Sequence, residues 1–210
     1  MVATYNYARI YVSWHDAFAV VNGAVTSTGV PYTDTFRYAD WLITVPLLLV
    51  AFVTVLDLPP RQIRLRSIIL ALLGAEMIAV GYPGQIATSI ETRWLWFGVG
   101  MIPFVIILIQ LFGSLGNAIE AEPAEGRTAI RLARLGLVLS WPVYAVVYVL
   151  PLLGFKGSFV FVGIQVGYAL ADISAKALYG VLIWSAASAK SARRAESSTW
   201  QPASARSVNA

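Results

Sequence analysis

The sequence predicts an all-α membrane protein, a bundle of helices built to sit in a lipid bilayer, and three observations carry that expectation. Hydrophobic residues make up 58% of the 210 positions and charged residues only 12%, with a mean hydropathy of +0.70, far more apolar surface than a water-soluble domain of this length can bury. Five apolar stretches (35–56, 66–90, 94–117, 131–153 and 159–187) reach the roughly 20 residues a helix needs to cross ~30 Å of hydrocarbon. The basic residues cluster in the connections between these stretches.

Taken in order, residues 1–16 are apolar and aromatic but too short to span and read as a partial helix. The five stretches follow as full spans, so that residues 1–189 form one membrane domain. Residues 190–210, rich in Ser, Ala and Arg, read as a polar tail without stable structure. Arg61, Arg64, Arg66, Arg127, Arg131, Arg134, Lys190, Arg193, Arg194 and Arg206 fall on one side of the membrane. Only Arg9, Arg37, Arg93 and Lys156 fall on the other. This bias places the 57–65 and 118–130 loops and the C-terminus in the cytoplasm of a multi-pass protein of the plasma membrane.

Several function classes lose support at once. There is no cysteine, hence no disulfide, thiolate metal site or thiol nucleophile. No basic n-region with a cleavage site follows Met1. No glycine-rich phosphate loop or metal-ligand spacing appears, which argues against an enzyme and against a metal. The net charge of +4 is spread over loops and reports topology, not nucleic acid. Oligomeric state is not legible, and a homo-oligomer is compatible with the chain.

Charged residues inside spans are the informative ones, because an ammonium at mid-bilayer costs roughly 2.5–3.5 kcal/mol on insertion scales. Lys176 lies near the middle of the last stretch, and Asp172 precedes it by one helical turn on the same face. A structural ion pair is one explanation; a lysine carrying a covalent cofactor through a Schiff base is the other. On the 35–56 span, Asp40, Thr44 and Leu47 share a face by spacing, with Arg37 one turn towards the extracellular end. Arg37 and Lys176 against Asp40 and Asp172 form a neutral quadruplet, the condition under which burial of charge is tolerable. Trp41, Trp96, Trp141, Tyr144, Tyr148 and Tyr168 fall inside spans, either as core filling or as walls for a flat apolar ligand.

The segments Arg37–Leu49 and Val166–Lys176 resemble helices C and G of microbial rhodopsins. Ala75–Gly84 and Leu139–Pro151 resemble helices D and F of the xanthorhodopsin and proteorhodopsin branch, and Thr28–Asp34 its extracellular B–C loop. The resemblance runs from about residue 4 to residue 190. It implies a seven-helix retinal-binding bundle, of which this chain covers the end of helix B (1–16), C (35–56), D (66–90), E (94–117), F (131–153) and G (159–187). It implies all-trans retinal on Lys176 as a protonated Schiff base. Asp40 would be counterion and proton acceptor, Asp172 the second counterion, Arg37 the extracellular gate and Thr44 a hydrogen-bonding neighbour of Asp40. Trp41, Leu48, Met77, Gly81, Gly100, Trp141, Tyr144 and Tyr148 would line the retinal, with Tyr7 near Asp172. Leu48 stands where leucine goes with green absorption in this branch.

Four main features depart from the pattern, with a smaller fifth. Residues 1–14 resemble only the extracellular half of helix B, so a truncated gene model or a fragment starting at an internal methionine is expected. The cytoplasmic proton-donor position is Ala51, with Glu76 on the next span a conceivable replacement. Asn6 stands where the branch places a histidine beside the acceptor, and the single histidine, His15, is expected past the helix end. Phe97 replaces the glycine that opens a carotenoid window, so no antenna carotenoid is expected. Pro142 also comes about one turn earlier than in relatives, which moves the helix break. The leading expectation is a light-driven outward proton pump in the lipid bilayer, with retinal and protons as its partners. A slow photosensor and a truncated, non-pigmented fragment are the alternatives.

Overall fold

The computed structural model describes residues 1–199 and is almost entirely helical. Helix α1 (Val2–Ala17) leads into a hairpin of β1 (Phe18–Val21) and β2 (Ala24–Ser27); then come α2 (Thr35–Thr54), α3 (Pro60–Ile86), α4 (Ile90–Phe112), the short α5 (Ser114–Glu120), α6 (Ala124–Val149) and α7 (Ser158–Ile173). A π-helical turn, Ser174–Leu178, joins α7 to α8 (Tyr179–Thr199) in one continuous rod. Four stretches are long and apolar enough to cross a membrane: α2, α4 with α5, most of α6, and the α7–α8 rod as far as Glu196. The fifth long helix, α3, packs between α2 and α4.

The hairpin is an addition to the expected all-α chain. Its strands pair antiparallel from Phe18–Ser27 to Val21–Ala24. Asn22 and Gly23 take φ values of 51° and 79°, the left-handed pair that a two-residue turn of this hand requires. The Asn-Gly dipeptide between two short β-branched runs was the local signal for it.

Helix bounds run past the apolar stretches wherever basic residues flank them. Helix α3 begins at Pro60 instead of residue 66 and α6 at Ala124 instead of 131. Arginine stems can follow a helix out of the apolar layer while their heads stay solvated. Pro60 opens α3 at a position where a missing N–H is harmless. Ser89 caps α4 by accepting the Thr92 N–H at 3.1 Å. The polar tail is also corrected: residues 190–199 continue α8 as helix, because Ala, Lys and Arg are good helix formers. The remainder of that tail, with Arg206, lies outside the described residues.

The densest core lies towards the arginine-rich end, where Leu49, Phe52 and Val53 of α2 meet Leu111, Leu115, Ile130, Leu137 and Tyr179, all at most 2% exposed. Gly74 permits the close approach of α2 and α3: a Cβ there would sit 3.0 Å from Leu49 Cδ1. Leu42, Leu72, Leu95, Ile109, Leu139 and Val181 face outward, as expected of a lipid-facing surface.

Candidate functional site

The site is built where α2 and the α7–α8 rod face each other. Lys176 lies in the π turn, which widens the helix locally and is a frequent mark of functional positions. Its Nζ is bonded to Asp40 Oδ2 on α2 and lies 3.0 Å from Asp172 Oδ2 on its own rod. Asp172 is held by three further donors: the Tyr7 hydroxyl, the Trp41 indole N–H at 2.9 Å and the Tyr144 hydroxyl at 2.5 Å. Asp40 is fully buried, and its Oδ1 has no hydrogen-bond partner. The two carboxylates therefore differ in kind. One is saturated by donors; the other has an open acceptor beside the ammonium.

Thr44 donates to the main-chain carbonyl of Asp40 at 2.9 Å, not to its carboxylate. Arg37 is only 2% exposed, yet it pairs with neither central acid. Its two terminal nitrogens reach Asp34 Oδ2 at 3.2 Å and Gln165 Oε1 at 2.9 Å, and its guanidinium lies 4.6 Å from the centre of the Tyr168 ring. The expected neutral quadruplet is thus two units. Lys176 sits between two acids, and Arg37 is neutralised by Asp34, so the five groups carry one net negative charge. Asp34 is the residue the charge count missed; it precedes α2 in the loop.

An apolar cavity extends from the lysine. Trp41, Leu48, Met77, Gly81, Gly100, Trp141, Tyr144 and Tyr148 all line it together with Lys176 and Asp172. The structure adds Tyr38, Phe104 and Met101 to the walls; single apolar or aromatic positions on helices that also face lipid gave no signal in the sequence. Trp41 and Tyr144 meet edge to face at 5.0 Å between centroids. Phe97 stacks on Tyr148 at 5.5 Å and belongs to the wall. Tyr7 does not line the cavity; its hydroxyl donates to Asp172, and its ring lies 5.8 Å from Lys176 Nζ and 5.9 Å from the Arg37 guanidinium.

A second cavity lies beyond Arg37. It is lined by Tyr32, Asp34, Gln85, Arg93 and Gln165 and shares Tyr148 and Tyr168 with the first. Tyr32 donates to Gln165 at 2.9 Å, and burial, followed by the nearby Asp34 charge, pushes its hydroxyl up to about 12.

Other expectations are corrected. Glu76 is exposed on the outer face of α3, while Met77 faces the cavity and Ile78 is buried; one residue is a 100° turn, enough to take the carboxylate out of the bundle. Leu47 is 58% exposed although it shares the Asp40 stripe. His15 lies in the last turn of α1 and not beyond it, with its side chain 75% exposed. Asn6 is buried and donates to the Val2 carbonyl at 3.1 Å, a bond within its own helix.

A half-buried lysine between two acids, at the mouth of an aromatic slot in a membrane helical bundle, defines a small class of proteins. The chain belongs to the bacteriorhodopsin-like family, whose family model matches residues 2–190, and it sits with the proteorhodopsin- and xanthorhodopsin-like microbial rhodopsins. It is 30% identical over 177 residues to the green-light absorbing proteorhodopsin of Gamma-proteobacterium EBAC31A08, covering 83% of this chain and 68% of that one. It is 31% identical over 152 residues to bacteriorhodopsin of Halobacterium salinarum (strain ATCC 700922 / JCM 11081 / NRC-1), covering 70% of this chain and 54% of the relative. Among solved structures it resembles xanthorhodopsin, described as a light-driven ion pump with dual chromophore, with a TM-score of 0.87 and 41% identity over 92% of this chain and 78% of that one. The structure of thermophilic rhodopsin gives a TM-score of 0.86 and 39% identity over the same shares. These neighbours are seven-helix rhodopsins, and the present chain covers part of that bundle.

Proposed function

We propose that this protein is a light-driven outward proton pump whose chromophore is retinal carried on Lys176. The observation that supports this most is the position of Lys176 Nζ between Asp40 and Asp172 at the mouth of the aromatic cavity. The lining fits a flat apolar polyene. Its charged groups are Lys176 and Asp172, and at Gly100 even an added Cβ would come no closer than 3.8 Å to its neighbours. Retinal joined to Lys176 as a protonated Schiff base would supply light absorption and isomerisation.

The protein's own residues then divide the work. Asp40 receives the proton from Lys176 Nζ, having an unpartnered Oδ1 and a direct bond through Oδ2. Asp172, whose two oxygens already accept from Tyr7, Trp41 and Tyr144, stands as the second counterion and is held in place by those donors. Thr44 fixes the turn of α2 that carries Asp40. Arg37, held by Asp34 and Gln165, separates Asp40 from the second cavity, and the proton leaves on that side. Its replacement comes from the cytoplasm, where Ala51 offers no carboxylic acid. Leu48 in the wall favours green absorption. The ten-to-four bias of basic residues supports a cytoplasmic C-terminus, and a proton pump of this kind would work in the plasma membrane.

Ala51 also favours a second reading, a slow-cycling photosensor. Adding all-trans retinal to the expressed chain tests the proposal. A visible band bleached by hydroxylamine, with protonophore-sensitive acidification on illumination, is expected; Asp40→Asn keeps the band and loses the acidification. A band without acidification in the wild type favours the sensor. No band at all points to a non-pigmented fragment.

A further inference from the structure

At the arginine-rich end, fourteen residues beyond Lys176 on the same rod, Lys190 is tied to three other groups. Its side chain is 10% exposed, and Nζ lies 2.7 Å from Glu122 Oε2, 2.9 Å from Asp57 Oδ1 and 2.8 Å from the Val55 carbonyl oxygen. Glu122 is 1% exposed at its side chain and is held twice more. Its Oε1 accepts the Asp57 N–H at 2.5 Å, and its carbonyl accepts the Arg127 Nε–H at 2.7 Å. Arg194 reaches Asp57 at 3.0 Å. The cluster joins the end of α2, the turn between α5 and α6, and α8. None of these residues touches the cavity around Lys176.

Between the cluster and Lys176 lies a closed apolar layer. Leu49, Phe52, Val53, Leu137 and Tyr179 are all at most 2% exposed, and the Tyr179 hydroxyl is spent on the Leu48 carbonyl at 2.6 Å. A proton reaching Lys176 from this end needs water to enter, and water enters only if the helices part. Two side chains of the cluster, Arg127 and Lys190, stand on α6 and on the rod, and each of these continuous helices has an irregular point at the level of the cavity. Pro142 inside α6 leaves a carbonyl one turn back without its helical N–H, and the π turn Ser174–Leu178 widens the rod. The arginine-rich halves can hinge at those two points, and the Lys190 cluster is what ties them to the end of α2.

We propose that Lys190, bonded to Glu122 and Asp57, is a latch that keeps the arginine-rich end of the bundle closed to water and so sets how fast a proton returns to Lys176. The closure stands on this geometry alone; the kinetic half rests on the pump reading.

The full chain in lipid vesicles tests it, as wild type, Lys190→Met and Lys190→Arg. In the dark, Lys190→Met should raise amide hydrogen exchange of α6 between Ile130 and Leu137, and of α8 between Leu182 and Ala189, by at least about tenfold. Exchange in α1 should be unchanged, and Lys190→Arg should resemble the wild type. Unchanged exchange, or an equal rise everywhere, overturns the latch. With retinal added, flash photolysis should show proton return to Lys176 at least about fivefold faster in Lys190→Met; raised exchange with an unchanged return rate overturns the kinetic half. If Lys190→Met does not fold, Glu122→Gln removes the ion pair and leaves one acceptor oxygen for two donors, and is read in the same way. A wild type without a visible band defeats the pump reading and with it the kinetic half, while exchange still decides whether the cluster closes the bundle.

Discussion

Trp41 on α2 donates its indole N–H to both oxygens of Asp172 on α7, at 2.9 and 3.1 Å, across 131 positions of sequence. Together with the Tyr7 and Tyr144 hydroxyls, this bond fixes the second carboxylate as an acceptor with no capacity to spare. The first carboxylate, Asp40, is left as the group that can take a proton. Tyr144→Phe keeps the ring in the wall and removes one donor to a charged acceptor, a bond worth about 1.5–3 kcal/mol. The variant should therefore lose about that much unfolding free energy, seen as a lower unfolding midpoint, and shift the absorption band. A variant indistinguishable from wild type in both would show that the Tyr144 bond is not formed.

Ala51 lies on α2 eleven residues past Asp40, beside the closed apolar layer formed by Phe52 and Val53. The wild type should refill Lys176 slowly and at a rate that falls as pH rises, because protons come from bulk water. Ala51→Glu places a carboxylic acid on the path and should speed the return by at least about tenfold while flattening its pH dependence. Fast, pH-independent recovery in the unmodified chain would refute the expectation.

Phe97 stacks on Tyr148 and fills the cavity wall that a glycine would open. No energy transfer from an added xanthophyll is expected in the wild-type excitation spectrum. Phe97→Gly should create it if the aromatic ring alone blocks the window. Transfer in the wild type would remove the steric argument.

Tyr32 outside the spans gives a pH signature. Its hydroxyl is raised from 10.0 to about 12 in the folded protein, so folding favours the protonated form. The stability it contributes is fully present below about pH 10 and is lost as pH rises through about 12. The difference in unfolding midpoint between wild type and Tyr32→Phe should accordingly be constant below pH 10 and shrink towards pH 12. A difference that stays constant across that interval would count against burial beside Asp34 as the source of the shift.

The sequence by itself determined the helical membrane class and the registers that lie within one helix. Asp172 and Lys176 share a face because they are four apart, and Thr44 reaches the Asp40 carbonyl for the same reason. Ordered motifs on separate helices also made the cavity residues legible, from Trp41 on α2 to Trp141 on α6. The Asn-Gly turn of the hairpin is equally local, a two-residue signal between short β-branched runs.

What only the tertiary structure decided is which partner each buried charge meets. Arg37 turns to Asp34 and Gln165 and leaves Lys176 to both central acids. Glu76 faces outward, and Lys190 joins Glu122 and Asp57 from three separate segments. Helical periodicity fixes an angle around one axis and says nothing of what the neighbouring helix presents there. A buried charge, however, takes the partner that packing brings within about 3 Å, because leaving it unpaired is the costlier arrangement.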